Sequence, residues 1–387
     1  MSDVRRNDRW VPVAAWTGMA VVVTAIRYLA SNRGRSPIGV WLRVDGFSYM
    51  AIAGKGYSYS RSAPYPIVAW FPGYPLTIRW LGALVGTQLG AAVAISFASG
   101  LAVAVLFWEW TRPRLGDTER MAALAALLVY AYGWYLYGAV YSDALYLALA
   151  LGAFVAVDRG LMWWAVVLAG AASGVRPIGF AVGVALVILV LERDGVLGGR
   201  ATAAWAARCH LPERPRLRQL RWRHLGLLVA SMWGVIAYST YLAVRWGQPL
   251  LWIDVQKRWS QGPSAGPQSW FKFHMVARMI RIHEADYVAS NLVQLAIMTA
   301  IVLAIPAIIG RFGLAYGVYV AIVSAIIVFG ANDMVGAGRY AIGVFPVAAL
   351  LGRRLAHRPA EARWYFAASG IGLLVLTVLF ARGAYLT

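Results

Sequence analysis

Apolar residues fall in long blocks along the chain and are seldom interleaved with charge. Eleven stretches are nearly free of charged side chains: Val11–Ala30, Thr87–Trp108, Met121–Tyr137, Ala144–Val157, Met162–Ser173, Ile178–Leu191, Leu225–Val244, Leu292–Gly310, Leu314–Gly330, Ala341–Leu351 and Trp364–Ala381. A helix needs roughly 20 apolar residues to cross about 30 Å of hydrocarbon. Several blocks reach that length, whereas Met162–Ser173 and Ala341–Leu351 do so only with their flanks. The pattern predicts an all-α polytopic integral membrane protein with about 11 transmembrane helices. It also predicts two long loops on one side, 31–86 and 246–288, and a basic loop at 193–224 on the other. No internal repeat divides the chain, so residues 1–387 are expected to form one transmembrane domain.

Composition supports this reading. Of 387 residues 60% are hydrophobic and 13% charged, against about 25% charged in soluble domains; mean hydropathy is +0.62. The net charge of +20 would suggest nucleic acid in a soluble protein. Here there is no solvated basic domain to grip a duplex, and the charge reads as topology. With the N-terminus cytoplasmic, the short inner segments carry most of the arginine, including Arg214, Arg216, Arg218, Arg221 and Arg223. The outer segments are longer and more sparsely charged. The expected orientation in the cell membrane is therefore N-terminus inside and C-terminus outside. Val11–Ala30 lacks a small-residue cleavage site and reads as a permanent span.

Within the first outer loop, Trp41–Gly54 reads as an interfacial helix. Pro64, Pro66, Pro72 and Pro75 break helix, and Leu76–Val85 reads as a short return helix. In the second, Trp252, Trp259, Trp270 and Phe271 are residues of the kind that sit at headgroup level.

Candidate chemistry gathers on the predicted outer face. Asp45, in Arg43-Val44-Asp45-Gly46-Phe47, is set among apolar and aromatic residues, where a carboxylate suits a general base; the plainer reading is an interfacial ion pair with Arg43. Asp143 in Tyr141-Ser142-Asp143 can serve a site, or it can cap a helix with Ser142. Arg176 and Arg339 lie at turns beside spans, where an arginine needs an anionic partner. They pair with outer acids or, with Lys257 and Arg258, form a cluster whose guanidinium forks match phosphate oxygens; Lys257 and Arg258 also suit plain headgroup contact. Cys209 is the only cysteine, and the five histidines do not cluster with carboxylates, so no metal site is expected. No Walker or GxGxxG motif is present, and no nucleotide cofactor is implied.

At these residues the chain resembles the PIG-V-like mannosyltransferases, relatives of GPI mannosyltransferase II within the GT-C class of membrane glycosyltransferases. The stretches are Arg43-Val44-Asp45-Gly46 through Ile52-Ala53 and Gly56-Tyr57, Trp70-Phe71-Pro72-Gly73-Tyr74-Pro75, Tyr141-Ser142-Asp143-Ala144-Leu145-Tyr146 and Arg176-Pro177-Ile178-Gly179. Further along are Gly247-Gln248-Pro249, Gln256-Lys257-Arg258-Trp259, Arg339-Tyr340 and Phe345-Pro346. The family often has Arg-Trp-Asp and Tyr-Ser-Glu where this chain has Arg43-Val44-Asp45 and Tyr141-Ser142-Asp143; the carboxylates are kept.

The resemblance implies a GT-C-type bundle and an inverting transfer of a sugar, mannose above others, from a polyprenyl-phosphate donor to a glycolipid or glycan acceptor outside the cell. It implies Asp45 as base and Arg176, Arg339, Lys257 and Arg258 on the donor phosphate. Arg43, Tyr74, Tyr141, Asp143 and Tyr340 become substrate-binding residues. The rival readings are a flippase or scaffold for the same lipid, and the same enzyme class with a pentose or glucose donor. Membrane lipids are the other expected partners, and nucleic acid is not one.

Overall fold

A computed structural model describes residues 8–31, 39–63, 66–194, 196–197, 222–256, 266–282 and 284–384. Every regular element among them is helical, and the protein is a polytopic membrane protein. Four helices are long and apolar enough to cross a bilayer: Asp8–Ala30, Gln88–Thr111, Ala285–Phe312 and Pro359–Arg382. A fifth candidate is the pair Trp222–Ala230 and Trp233–Trp246, bent by 65° at its break. Fewer full-length spans are therefore present among the described residues than the eleven apolar blocks predict. The other blocks form helices of 12 to 17 residues, about 18–26 Å long at 1.5 Å per residue.

By contacts the chain forms two compact units. The first comprises Met1–Gly56, Pro72–Gly160 and Val347–Leu386; the second comprises Tyr57–Phe71 and Leu161–Pro346.

The first unit contains α1 (Val11–Ala30), α2 (Asp45–Lys55), α3 (Gly73–Val85), α4 (Gln88–Thr111), α5 (Asp117–Leu128), α6 (Asp143–Asp158), most of α17 (Phe345–Ala356) and α18 (Pro359–Arg382). The interfacial helix expected from Trp41 begins instead at Asp45, and the return helix begins at Gly73. The apolar block Met121–Tyr137 is broken. α5 ends at Leu128, whose carbonyl accepts the Tyr137 hydroxyl at 2.7 Å, and a 3-10 turn follows over Ala131–Leu136. That turn lies tight against α4.

One end of this unit is ionic. Asp8 pairs with Arg112 and Arg120, Glu109 with Arg112 and Arg159, and Arg114 with Asp158. Glu119 pairs with Arg353 and His357. These pairs join the start of α1, the α4–α5 turn, the end of α6 and the α17–α18 turn. The segments are those that charge alone assigns to one side of the membrane, and they share one end of the unit. Exposed pairs contribute little singly. Arg120 differs: it is buried and lies 3.9 Å over the Trp108 ring.

The second unit holds α7 (Met162–Val175), α8 (Phe180–Arg193), α9 (Trp222–Ala230), α10 (Trp233–Trp246) and α11 (Leu251–Gln256). It continues with α12 (Pro267–Trp270), α13 (Phe273–Ile282), α14 (Ala285–Phe312), α15 (Leu314–Gly330) and α16 (Ala337–Ala341). Most of the basic loop predicted at 193–224 lies outside the described residues. α7 and α10 cross at Gly170, Gly174 and Gly234, the four-residue spacing that lets helix backbones touch. A Cβ on Gly234 would sit 2.2 Å from the Gly170 carbonyl oxygen. The contact is polar as well: Ser173 Oγ accepts from the Val235 amide at 3.1 Å, and Trp233 Nε1 donates to the Val167 carbonyl at 3.2 Å.

The expected consequence is that Gly234→Val forces α7 and α10 apart. Overpacking costs typically about 1–3 kcal/mol. Thermal unfolding of the detergent-solubilised protein should show a clearly lower midpoint, whereas Gly226→Ala, in open space, should leave it in place.

Candidate functional site

The end of the first unit opposite its ionic belt is aromatic, and Asp45 lies there. Three features hold the start of α2. The first is Arg43, which is buried. Its Nε donates to the Phe380 carbonyl at 3.1 Å and its Nη2 to the Ala381 carbonyl at 2.7 Å, while Nη1 donates to Leu42 at 2.9 Å. Arg43 thus serves the last carbonyls of α18, where helix groups lack partners of their own and a cation is favoured. The sequence reading gave Arg43 to substrate or to an ion pair with Asp45; here much of its guanidinium is bound to backbone.

The second feature is Val44, with φ 34° and ψ −103°. A β-branched residue at positive φ is strained, by about 1–3 kcal/mol. It stands directly before Asp45. The third is Gly46. A Cβ there would lie 3.0 Å from the Val140 carbonyl oxygen and 2.8 Å from Leu42 Cδ1, so only glycine lets α2 start this close to the 138–141 segment. The Val140 amide also donates to the Trp41 carbonyl at 3.1 Å.

Asp143 comes to the same region. It is buried in the first turn of α6, where a helix N-terminus favours negative charge. The neighbouring Ser142 makes no side-chain cap. Its hydroxyl pairs at 2.8 Å with that of Tyr49, four residues on from Asp45 along α2. Tyr49 in turn packs edge-on against Tyr74 at 5.0 Å between centroids. The Tyr74 hydroxyl lies 3.0 Å from Ser96 Oγ and 3.2 Å from the Ala92 carbonyl. The result is a connected row of α2, α3, α4 and α6 side chains beside two carboxylates. Tyr141 lies apart from that row, packed against Tyr135 at 5.0 Å and Trp134 at 6.2 Å.

Arg27 belongs to this end too. It is fully buried in α1 and lies 4.1 Å over Trp41, 4.9 Å over Phe380 and 5.6 Å over Trp134. Its Nη2 donates to the Trp134 carbonyl at 2.9 Å.

The second unit carries the candidate cations. Arg176 follows α7 and Arg339 lies in α16; both are buried. The two guanidinium carbons lie over the one ring of Tyr340, at 4.5 Å for Arg176 and 5.2 Å for Arg339. The loop that carries Arg339 is held from α14. Asn291 Oδ1 accepts from the Met334 amide at 2.8 Å, and Gln294 Oε1 from the Gly338 amide at 2.9 Å. Lys257 and Arg258 lie outside the described residues.

Lys272 has a different task. Its Nζ donates to the Val328 carbonyl at 2.6 Å and the Ala331 carbonyl at 2.5 Å, at the end of α15. Burial pushes its ammonium down to about 8, against the pull of Asp333. Among the described residues no three His, Cys, Asp or Glu side chains gather as a metal site.

Sequence reasoning gave Tyr49, Asn291, Gln294 and Lys272 no role at the site, and gave Ser142 only that of a helix cap. Tyr49 was within reach, being one helical turn from Asp45. Asn291 and Gln294 were marked by their three-residue spacing in an otherwise apolar span. Nothing local marked Lys272.

The chain matches no protein-family model and no curated protein. Among solved structures it is similar to ArnT from Cupriavidus metallidurans bound to undecaprenyl phosphate, with a TM-score of 0.49 and 17% identity, over 94% of this chain and 63% of that one. The apo state of the same protein gives a TM-score of 0.36 and 16% identity, over 96% and 78%.

Two outcomes follow from the hold on Asp45. Arg43→Ala leaves buried carbonyls at the end of α18 without a donor, at about 1–3 kcal/mol each; hydrogen exchange should rise across 379–384. Val44→Gly relieves the strained φ and should unfold no earlier than the parent protein on heating, which an ordinary valine-to-glycine change in a helix start would not achieve.

Proposed function

We propose that the protein is a GT-C-type glycosyltransferase. It would transfer a sugar, most simply mannose, from a polyprenyl-phosphate donor to a glycolipid or glycan acceptor on the extracytoplasmic face, with Asp45 as general base. The observation that carries this reading is the strained, pinned start of α2. Strain of this kind persists where surrounding structure over-determines it, and it collects at functional sites. Here it stands beside the acid that the motif order marks as the base.

Chemically, the reaction is one displacement. The acceptor oxygen forms its bond to the anomeric carbon as the bond from that carbon to the phosphate oxygen breaks. The hydroxyl proton passes to Asp45, and polyprenyl phosphate leaves with the electron pair. The anomeric configuration inverts. A positioned base supplies typically about 10²–10⁴-fold. Stabilising the charge that grows on the leaving phosphate is the other large contribution. Arg176 and Arg339 are the candidates for it, held against one ring with little freedom to lose on binding. Lys257 and Arg258 are assigned to the same phosphate by the motif order alone. The Asp143, Tyr49 and Tyr74 row offers acceptors and donors for sugar hydroxyls; Tyr340 is assigned to the donor, and Tyr141 to packing behind the site.

The test uses purified full-length protein in liposomes with polyprenyl-phosphate mannose and an acceptor glycolipid. Asp45→Asn should lose about 10²–10⁴-fold in transfer rate while donor affinity stays within about twofold. Unchanged transfer removes Asp45 from the chemistry. Donor crossing the bilayer without transfer supports a flippase instead, and activity only with pentosyl or glucosyl donors changes the sugar. Arg176→Ala and Arg339→Ala should each weaken donor binding about tenfold or more, the scale of one lost charge-assisted hydrogen bond. Equal affinity in both variants counts against the phosphate assignment.

A further inference from the structure

We propose that α13 is an interfacial anchor, with its outward face seated in the lipid boundary, and that this seating holds the loop 331–341 that carries Arg339. The inference concerns the second unit alone and does not depend on the reaction assigned above.

Phe273, Val276, Ala277 and Ile280 recur at helical spacing and form one face of α13. All four are exposed. Phe273 and Ile280 show 59% and 66% of their surface, and the preceding Phe271 shows 68%. Met275, on the opposite face, is buried. This is an amphipathic helix with its apolar side turned away from the protein, the arrangement of a helix that lies in a lipid interface.

Its two ends fix its depth. At its start, Lys272 bonds the last carbonyls of α15. Toward its end, the Arg278 guanidinium lies 4.5 Å over the ring of Tyr287, in the first turn of α14. α14 has 28 residues, about 42 Å of helix against about 30 Å of hydrocarbon, so its first turn reaches headgroup level. α13 therefore lies across the ends of two apolar helices at the membrane boundary. Arg281, exposed on its flank, has the reach to stay with the headgroups.

The same segment grips the arginine loop. Ser269 Oγ donates to Asn332 Oδ1, and Lys272 holds Ala331. The Tyr287 hydroxyl donates to Asp333 Oδ2 at 3.2 Å. Residues 331–333 are thus tied to the elements that frame α13.

The experiment places a nitroxide on Ala277→Cys in a Cys209→Ser background, in the full chain in phosphatidylcholine nanodiscs. Collision with oxygen should exceed collision with a water-soluble nickel chelate, as at a lipid-buried site. A nickel-favoured label overturns the anchor. The second arm compares Ile280→Asp with the parent protein by hydrogen exchange. Exchange across 331–341 should quicken about tenfold or more, while the ionic end around 109–120 is unchanged. Equal exchange at 331–341 overturns the coupling. If Ile280→Asp does not fold, the conservative Ile280→Ser is read in the same way, and the label result stands by itself.

Discussion

Helix ends are the expensive part of an apolar bundle. Each leaves carbonyls or amides without partners, and a membrane interior offers little water to satisfy them. This protein meets the constraint with long polar side chains brought from elsewhere in the sequence. Arg43 serves the last turn of α18 from 337 residues away. α15 is served at both ends: Glu192 Oε1 accepts from the Leu314 amide at 3.0 Å at its start, and Lys272 donates to its final carbonyls. Many of the buried charges make sense as caps before any chemistry is considered.

That constraint also sorts the charges. At one end of the first unit, carboxylates and arginines neutralise one another in ion pairs. At the other, cations are spent on carbonyls and aromatic rings: Arg43 on the end of α18, and Arg27 on Trp41, Phe380 and Trp134. Asp45 and Asp143 share this aromatic end, where low polarity strengthens any electrostatic interaction a substrate makes. In the second unit, the guanidinium carbons of Arg176 and Arg339 lie over the ring of Tyr340.

The apolar blocks foretold helices well, because burial in hydrocarbon leaves a plain compositional mark. Helix length was less legible. Nothing within Met121–Tyr137 says that α5 stops at Leu128; the hydroxyl that satisfies its carbonyl belongs to Tyr137, and the turn fits because Gly100 on α4 has no side chain. For the candidate site, charge and motif order single out Asp45, Asp143, Arg176 and Arg339. They did not reveal that Arg43 reaches the end of α18, that Ser142 pairs with Tyr49 instead of capping α6, or that Val44 is strained. Each of those is a long-range contact or a backbone angle, and neither leaves a local signature.

Product stereochemistry discriminates the proposed single displacement assisted by Asp45 from other routes. The purified chain would be given a polyprenyl-phosphate sugar of known anomeric configuration and an acceptor, and the new linkage read by proton NMR. A single displacement yields one new glycosidic bond of inverted configuration, formed in step with free polyprenyl phosphate. Retained configuration, or release of polyprenyl phosphate without a new bond, would contradict it.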